Sequence, residues 1–182
     1  MIHVEEGDLE AIHVPIDFLG VNNYSRSLVR SNPNGGRPIH VREPDAQYTD
    51  MDWEVYPEGL HDLLVQVSKD YEPPALYITE NGASFPDVRG HDGSVLDPER
   101  RDYLERYITA VGRALEAGAP VKGYFVWTLL DNFEWAWGYW KRFGLVYVDF
   151  PTLERVPKES FAWYRDFIAR QRAGRGAETA AI

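Results

Sequence analysis

Three short apolar runs separated by helical patterns constrain this chain more than any other feature. Residues 16–22 (IDFLGVN), 75–79 (ALYIT) and 121–128 (VKGYFVWT) have the length of buried strands. Each leads into polar or aromatic groups: Asn22 and Tyr24, Glu80 and Asn81, and residues 131–135. Between the first two runs, Pro57 occupies a first-turn position and Leu60, Leu63, Leu64 and Val67 fall at i, i+3, i+4 and i+7, which predicts a helix ending near Asp70. Between the second and third, Asp97-Pro98 opens a helix that Gly118 stops. Its predicted buried stripe is Leu104, Tyr107, Ile108, Val111 and Leu115, and its predicted exposed face is Glu99, Arg100, Arg101, Glu105 and Arg106. Strand, helix, strand, helix, strand is the order of parallel strands joined by right-handed crossovers.

The remaining segments are less regular. Residues 31–52, rich in Pro, Gly, Asn and Asp, read as a long surface excursion, and residues 144–150 (GLVYVDF) as a short extended segment. Pro157 opens a last helix carrying Phe161, Tyr164 and Ile168, and residues 172–182 are expected to form a disordered tail after a single domain over 1–171. Two α/β architectures fit this order. A doubly wound sheet would carry a glycine-rich phosphate loop after a strand, and neither G-x-G-x-x-G nor G-x-x-x-x-G-K-[ST] occurs. A (β/α)8 TIM barrel places its chemistry on the loops after its strands, where the polar and aromatic groups stand here. A complete barrel takes about 250 residues, so 182 residues with three βα units imply a partial one whose open sheet edges invite association.

Charge and composition exclude other classes. Asp+Glu 29 against Lys+Arg 19 gives a net charge of -10, which repels phosphate backbones and anionic headgroups, so neither nucleic acid nor membrane is an expected partner. The chain has no cysteine, and the most apolar run, residues 123–130, is too short to span a bilayer. A soluble, cytoplasmic protein is the expectation. His3, His13, His40, His61 and His91 are scattered without zinc spacing, and no metal or other cofactor is expected.

Glu80 follows an apolar run directly and precedes Asn81-Gly82, so the carboxylate is presented at a strand end; a turn-forming acid is the plainer reading. Trp127, Trp135, Trp137 and Trp140 crowd the loop after the third run. A pyranose offers an apolar C–H face and a hydroxyl rim, and an indole with a nearby carboxylate suits both, a combination Trp127, Glu134 and Trp135 could supply. Clustered indoles also serve as core filling, the reading that fits Trp137 and Trp140. Asp131 with Glu134 makes a poor cation site, lacking further oxygen donors.

These segments resemble the C-terminal portion of the family-1 glycoside hydrolases, retaining β-glucosidases built on a (β/α)8 barrel. The resemblance rests on DFLGVNNYS (17–25), WEVYPEGL (53–60), LYITENG (76–82), GYFVWTLLDNFEWAWGY (123–139) and KRFGLVYVD (141–149), and covers residues 7–171. It implies that the three strands are the sixth, seventh and eighth and that Glu80 is the catalytic nucleophile. Tyr24 would hydrogen-bond that nucleophile and Asn22 would be a polar neighbour. Trp127 would lie under the glycone, Glu134 and Trp135 would bind its outer hydroxyls, and Phe143 would close the pocket. The implied substrate is a β-glucoside or cello-oligosaccharide, and the Glu134-Trp135 pair resembles members acting on unphosphorylated sugars.

The chain departs from the family pattern in two ways. Asn23 and Trp140 stand where aromatic and small or polar residues respectively are common. More consequentially, no N-E-P motif, which carries the family's general acid/base, occurs here, and the Glu43-Pro44 and Glu72-Pro73 pairs do not lie at strand ends. The expectation is a fragment with the nucleophile but without the acid/base, for which a chain supplying strands one to five is a candidate partner. An inactive fragment that binds sugar weakly is the alternative.

Overall fold

The computed structural model describes residues 3–179. The chain forms α1 (Asp8–Ile12), β1 (Leu19–Asn22), β2 (Leu28–Arg30), β3 (Ile39–Val41), α2 (Pro57–Tyr71), β4 (Leu76–Asn81), α3 (Pro98–Glu116), β5 (Val121–Val126), β6 (Val146–Val148), β7 (Arg155–Pro157) and α4 (Glu159–Thr179). β1, β4 and β5 make one parallel sheet in that order, with Leu19 beside Leu76 and Leu76 beside Val121. α2 and α3 are the crossovers, as the alternation of patterns predicts. Among the described residues the outer edges of β1 and β5 carry no partner strand, so the α/β piece is open on both sides.

Both crossover helices cover one face of this sheet. Leu60 and Leu64 of α2 and Tyr103, Leu104, Tyr107 and Val111 of α3 bury themselves with Leu76 and Ile78 of β4. The opposite face carries Tyr77, packed edge-on to Phe18 at 5.2 Å. A Cβ at Gly123 would fall 2.7 Å from the Tyr77 ring, so glycine lets that ring lie across β5. Phe18 and Phe125 remain more than half exposed.

Three features differ from the sequence reading. The excursion at 31–52 contains half of a hairpin, because β2 pairs antiparallel with β3; three-residue strands joined by a Pro/Gly-rich turn leave too short a period to read. The extended segment expected at 144–150 is present as β6, which pairs antiparallel with β7. On α3 the buried face is rotated toward Arg100, Tyr103, Tyr107, Ala110 and Ala114, leaving Leu115 about half exposed. Finally, α4 continues to Thr179 instead of giving way to a disordered tail at 172, in keeping with the helix propensity of its alanines and arginines; the expectation for 180–182 lies outside the described residues.

Arg100, expected on the exposed face, is fully buried. Its guanidinium donates to both Asp87 oxygens at 2.9 Å, to Asp97, to Ala83 O at 3.1 Å and to Arg142 O at 2.8 Å. Lys158 joins Asp87 (2.5 Å) to Asp131 (2.9 Å), and Arg142 donates to Asp131 at 2.6 Å. Three carboxylates thus meet three cations, and Ser160 N and Oγ and Gly144 N fill remaining acceptor sites on Asp97 and Asp131. The network ties the loop after β4, the start of α3, the loop after β5 and the start of α4 together beneath the strand ends.

Candidate active site

The C-terminal ends of the three parallel strands converge on Glu80. It is the second-last residue of β4, in register with Asn22 at the end of β1, and the ladder extends one step further where Asn23 N donates to Glu80 O at 3.0 Å. Tyr24 then turns its hydroxyl onto the carboxylate, with Oη donating to Glu80 Oε2 at 2.6 Å. Asn22 lies beside them, its Oδ1 accepting from Thr79 Oγ1 at 2.6 Å.

The third strand brings the indole. Trp127 follows β5 directly, and its backbone N–H donates to Asn81 O at 2.9 Å. A Cβ on Gly82 would lie 1.8 Å from Trp127 O, so the Asn-Gly that follows Glu80 permits a close crossing of two backbones. Glu134 lies near enough to feel the Glu80 charge. Burial first and that charge second raise its pKa above the usual carboxylate range, while the Trp127 indole N–H pulls the other way. Burial, the hydrogen bond to Glu80 and the charges of Glu80 and Glu134 hold the Tyr24 phenol well above its ordinary value, so it stays a protonated donor.

An aromatic wall completes one side. Phe143 is buried, with its ring 6.2 Å from Tyr24 and 6.0 Å from Trp53, and Trp53 lies 5.2 Å from Tyr24. Trp135 stands apart: it opens a 3-10 turn at a φ of 41° and is 80% exposed. Trp140, at 87%, is not core filling either. Asp131 is committed to Lys158 and Arg142, and no cluster of three potential metal ligands occurs among the described residues. The sequence reading did not single out Trp53, although it lies within the motif WEVYPEGL, and it gave Asn81 only as a polar residue at a strand end.

Parallel strands joined by helices, with a carboxylate, a phenol and indoles gathered where the strands end, are the arrangement of α/β-barrel enzymes. The family model for Glycosyl hydrolase family 1 matches residues 1–173, and the chain belongs to that family. It is 48% identical to Beta-glucosidase A of Thermotoga maritima over 88% of this chain, and 49% identical to the 1,4-beta-D-glucan glucohydrolase of Thermotoga neapolitana over 90%. The solved Thermotoga maritima β-glucosidase in complex with glucoimidazole superposes with a TM-score of 0.85 at 49% identity, over 89% of this chain. In each case this chain spans only 36–37% of the relative's length.

Proposed function

We propose that this chain carries the nucleophile side of the active site of a retaining β-glucosidase, with β1, β4 and β5 as the sixth, seventh and eighth strands of a (β/α)8 barrel. The observation that carries the reading is the 2.6 Å bond from Tyr24 Oη to Glu80 Oε2 at the end of β4, beside Trp127 and Glu134. A carboxylate held there is aimed by its donor. Glu80 attacks the anomeric carbon of a β-glucoside as an acid protonates the departing oxygen, and the glycosyl ester is hydrolysed by water that the same acid, now a base, deprotonates. Trp127 supplies the platform for the C–H face of the sugar, Glu134 and Trp135 accept and donate hydrogen bonds at its outer hydroxyls, Phe143 closes the wall, and Asn22 borders the site.

A retaining pair needs its second carboxyl about 5 to 5.5 Å from the first. No Asn-Glu-Pro occurs among these 182 residues. The acid/base is therefore assigned to a segment bearing strands one to five, which would also cover the open edges of β1 and β5. The test mixes this chain with one carrying those strands and measures hydrolysis of an aryl β-glucoside. Turnover well above the sum of the separate chains is expected; sugar release that never exceeds either chain alone, with both folded, refutes the reading.

The raised pKa of Glu134 gives a second expected result. Ionised, Glu134 accepts from sugar hydroxyls; protonated, it loses a charge-assisted bond of about 1.5 to 3 kcal/mol, or roughly ten- to hundredfold in affinity. Because its folded-state pKa lies above the ordinary value, glucose affinity of the completed site should begin to fall on acidification before an ordinary carboxylate would titrate. Tryptophan fluorescence titrations with glucose across pH check this, and Glu134→Gln should flatten the dependence.

A further inference from the structure

Beyond the last ladder bond, from Asn23 N to Glu80 O, the carbonyls of residues 23 and 24 meet no backbone donor of a neighbouring strand among the described residues, yet both are engaged. Asn81, the neighbour of Glu80, donates from Nδ2 to Asn23 O at 2.8 Å. Tyr24 O accepts two phenolic hydroxyls, those of Tyr103 and Tyr107 on α3, each at 3.2 Å. The two phenols are fully buried and stacked, with ring centroids 4.1 Å apart and planes 20° from parallel.

Every group in this cluster is used on both sides. Tyr103 Oη also accepts from Asn81 Nδ2 at 3.0 Å, Tyr107 Oη accepts from Tyr56 N at 3.1 Å, and Asn81 Oδ1 accepts from Tyr124 Oη at 2.5 Å. Phenylalanine would fill the same volume at 103 and 107, so the hydroxyls contribute location. They fix the peptide that leaves Tyr24, while Asn81 holds the peptide before it to the strand that carries Glu80. Trp53 and Phe143 flank the Tyr24 ring. With backbone and ring both held, the Tyr24 hydroxyl has little freedom to leave the carboxylate. Burial holds both α3 phenols protonated and therefore able to donate.

We infer that Tyr103 and Tyr107 are positioning residues for the nucleophile: acting through the Tyr24 carbonyl, and in the case of Tyr103 through Asn81 as well, they set the contact between the Tyr24 hydroxyl and Glu80. The functional meaning of this clamp rests on the reading of Glu80 as nucleophile, but its geometry does not require turnover to be measured.

The experiment labels the tyrosine ring Cζ positions of the chain with carbon-13 and assigns the Tyr24 resonance by its loss in Tyr24→Phe. Glu80→Gln defines the displacement of that resonance when the carboxylate acceptor is removed. A Tyr103→Phe/Tyr107→Phe variant, shown to be folded by its amide spectrum, is expected to displace it in the same direction. Tyr164→Phe, which removes a hydroxyl bonded to Tyr124 O on the far side of the network, is expected to leave it in place. Should the double variant not fold, Tyr103→Phe alone must still displace the resonance. A folded variant whose Tyr24 resonance stays at its original position overturns the inference, as does a Glu80→Gln variant that leaves it unmoved. A displaced resonance in a chain that never supports glucoside hydrolysis would refute the glucosidase reading and leave the clamp standing; hydrolysis with an unmoved resonance would do the reverse.

Discussion

Glu80→Gln is expected to lower hydrolysis of an aryl β-glucoside by the completed barrel on the order of 10⁴-fold or more, the scale on which loss of a nucleophile registers. The amide keeps nearly the same shape, so the substitution removes nucleophilicity while sparing the packing. A good leaving group needs little acid assistance, which makes attack by Glu80 the step under test. Glu80→Ala provides the decisive companion. It opens room at the end of β4 for a small anion, and azide added to this variant should attack the anomeric carbon from the side Glu80 occupied. The new C–N bond forms as the C–O bond to the aryl group breaks, and the product is the α-glycosyl azide. Recovery of that product, identified by its anomeric coupling constant, would establish that Glu80 stands in line with the departing aglycone. If Glu80→Gln retained activity within tenfold of the unsubstituted chain, the carboxylate would be the turn-forming acid of the plainer reading and another group would have to attack.

Much of this site could be read before the fold was known, because its elements announce themselves locally. An apolar run that stops on Glu80-Asn81-Gly82 says strand, presented acid and tight turn in eight residues, and the structure places Glu80 one residue from the end of β4. The stripe of α2 likewise needed only a period, and Leu60 and Leu64 are buried as it requires. What stayed hidden depends on distance through space. Tyr103 sits outside the predicted stripe and Tyr107 reads as one more apolar position within it; their shared acceptor, Tyr24 O, lies about eighty residues away. Trp53 gains its meaning from Tyr24 and Phe143, each on a different segment. Trp135 shows the opposite limit: its indole is mostly exposed, and the sequence pattern alone could not say that.

Two adjacent arginines carry the other large expectation. The sequence pattern assigns both Arg100 and Arg101 to the solvent-facing side of α3, yet the Arg100 side chain is 1% exposed and the Arg101 side chain 42%. Arg101 makes one ion pair, to Glu159 at 2.7 Å, in partial contact with water, and pairs of that kind contribute about 0 to 1 kcal/mol. Arg100 is surrounded by Asp87, Asp97 and two carbonyls. Among the described residues, removing it takes from Asp97 its one cation and leaves Asp87 with Lys158 only, a loss of about 3 to 5 kcal/mol. Lys158 is a weak substitute, since burial, the largest influence on its ammonium, holds it below the usual lysine range and persists when Arg100 is gone. Arg100→Met should therefore shift the urea midpoint far more than Arg101→Met, with unfolding followed by circular dichroism. Equal effects, within about 1 kcal/mol, would mean that the three cations and three carboxylates do not act as one buried unit. The consequence would reach the site as well, because Arg100 holds Arg142 O, the carbonyl directly before Phe143, and Ala83 O, in the turn that follows Glu80. A charge that sequence patterning assigns to the solvent is thus the anchor that holds the aromatic wall and the turn after Glu80 in one frame.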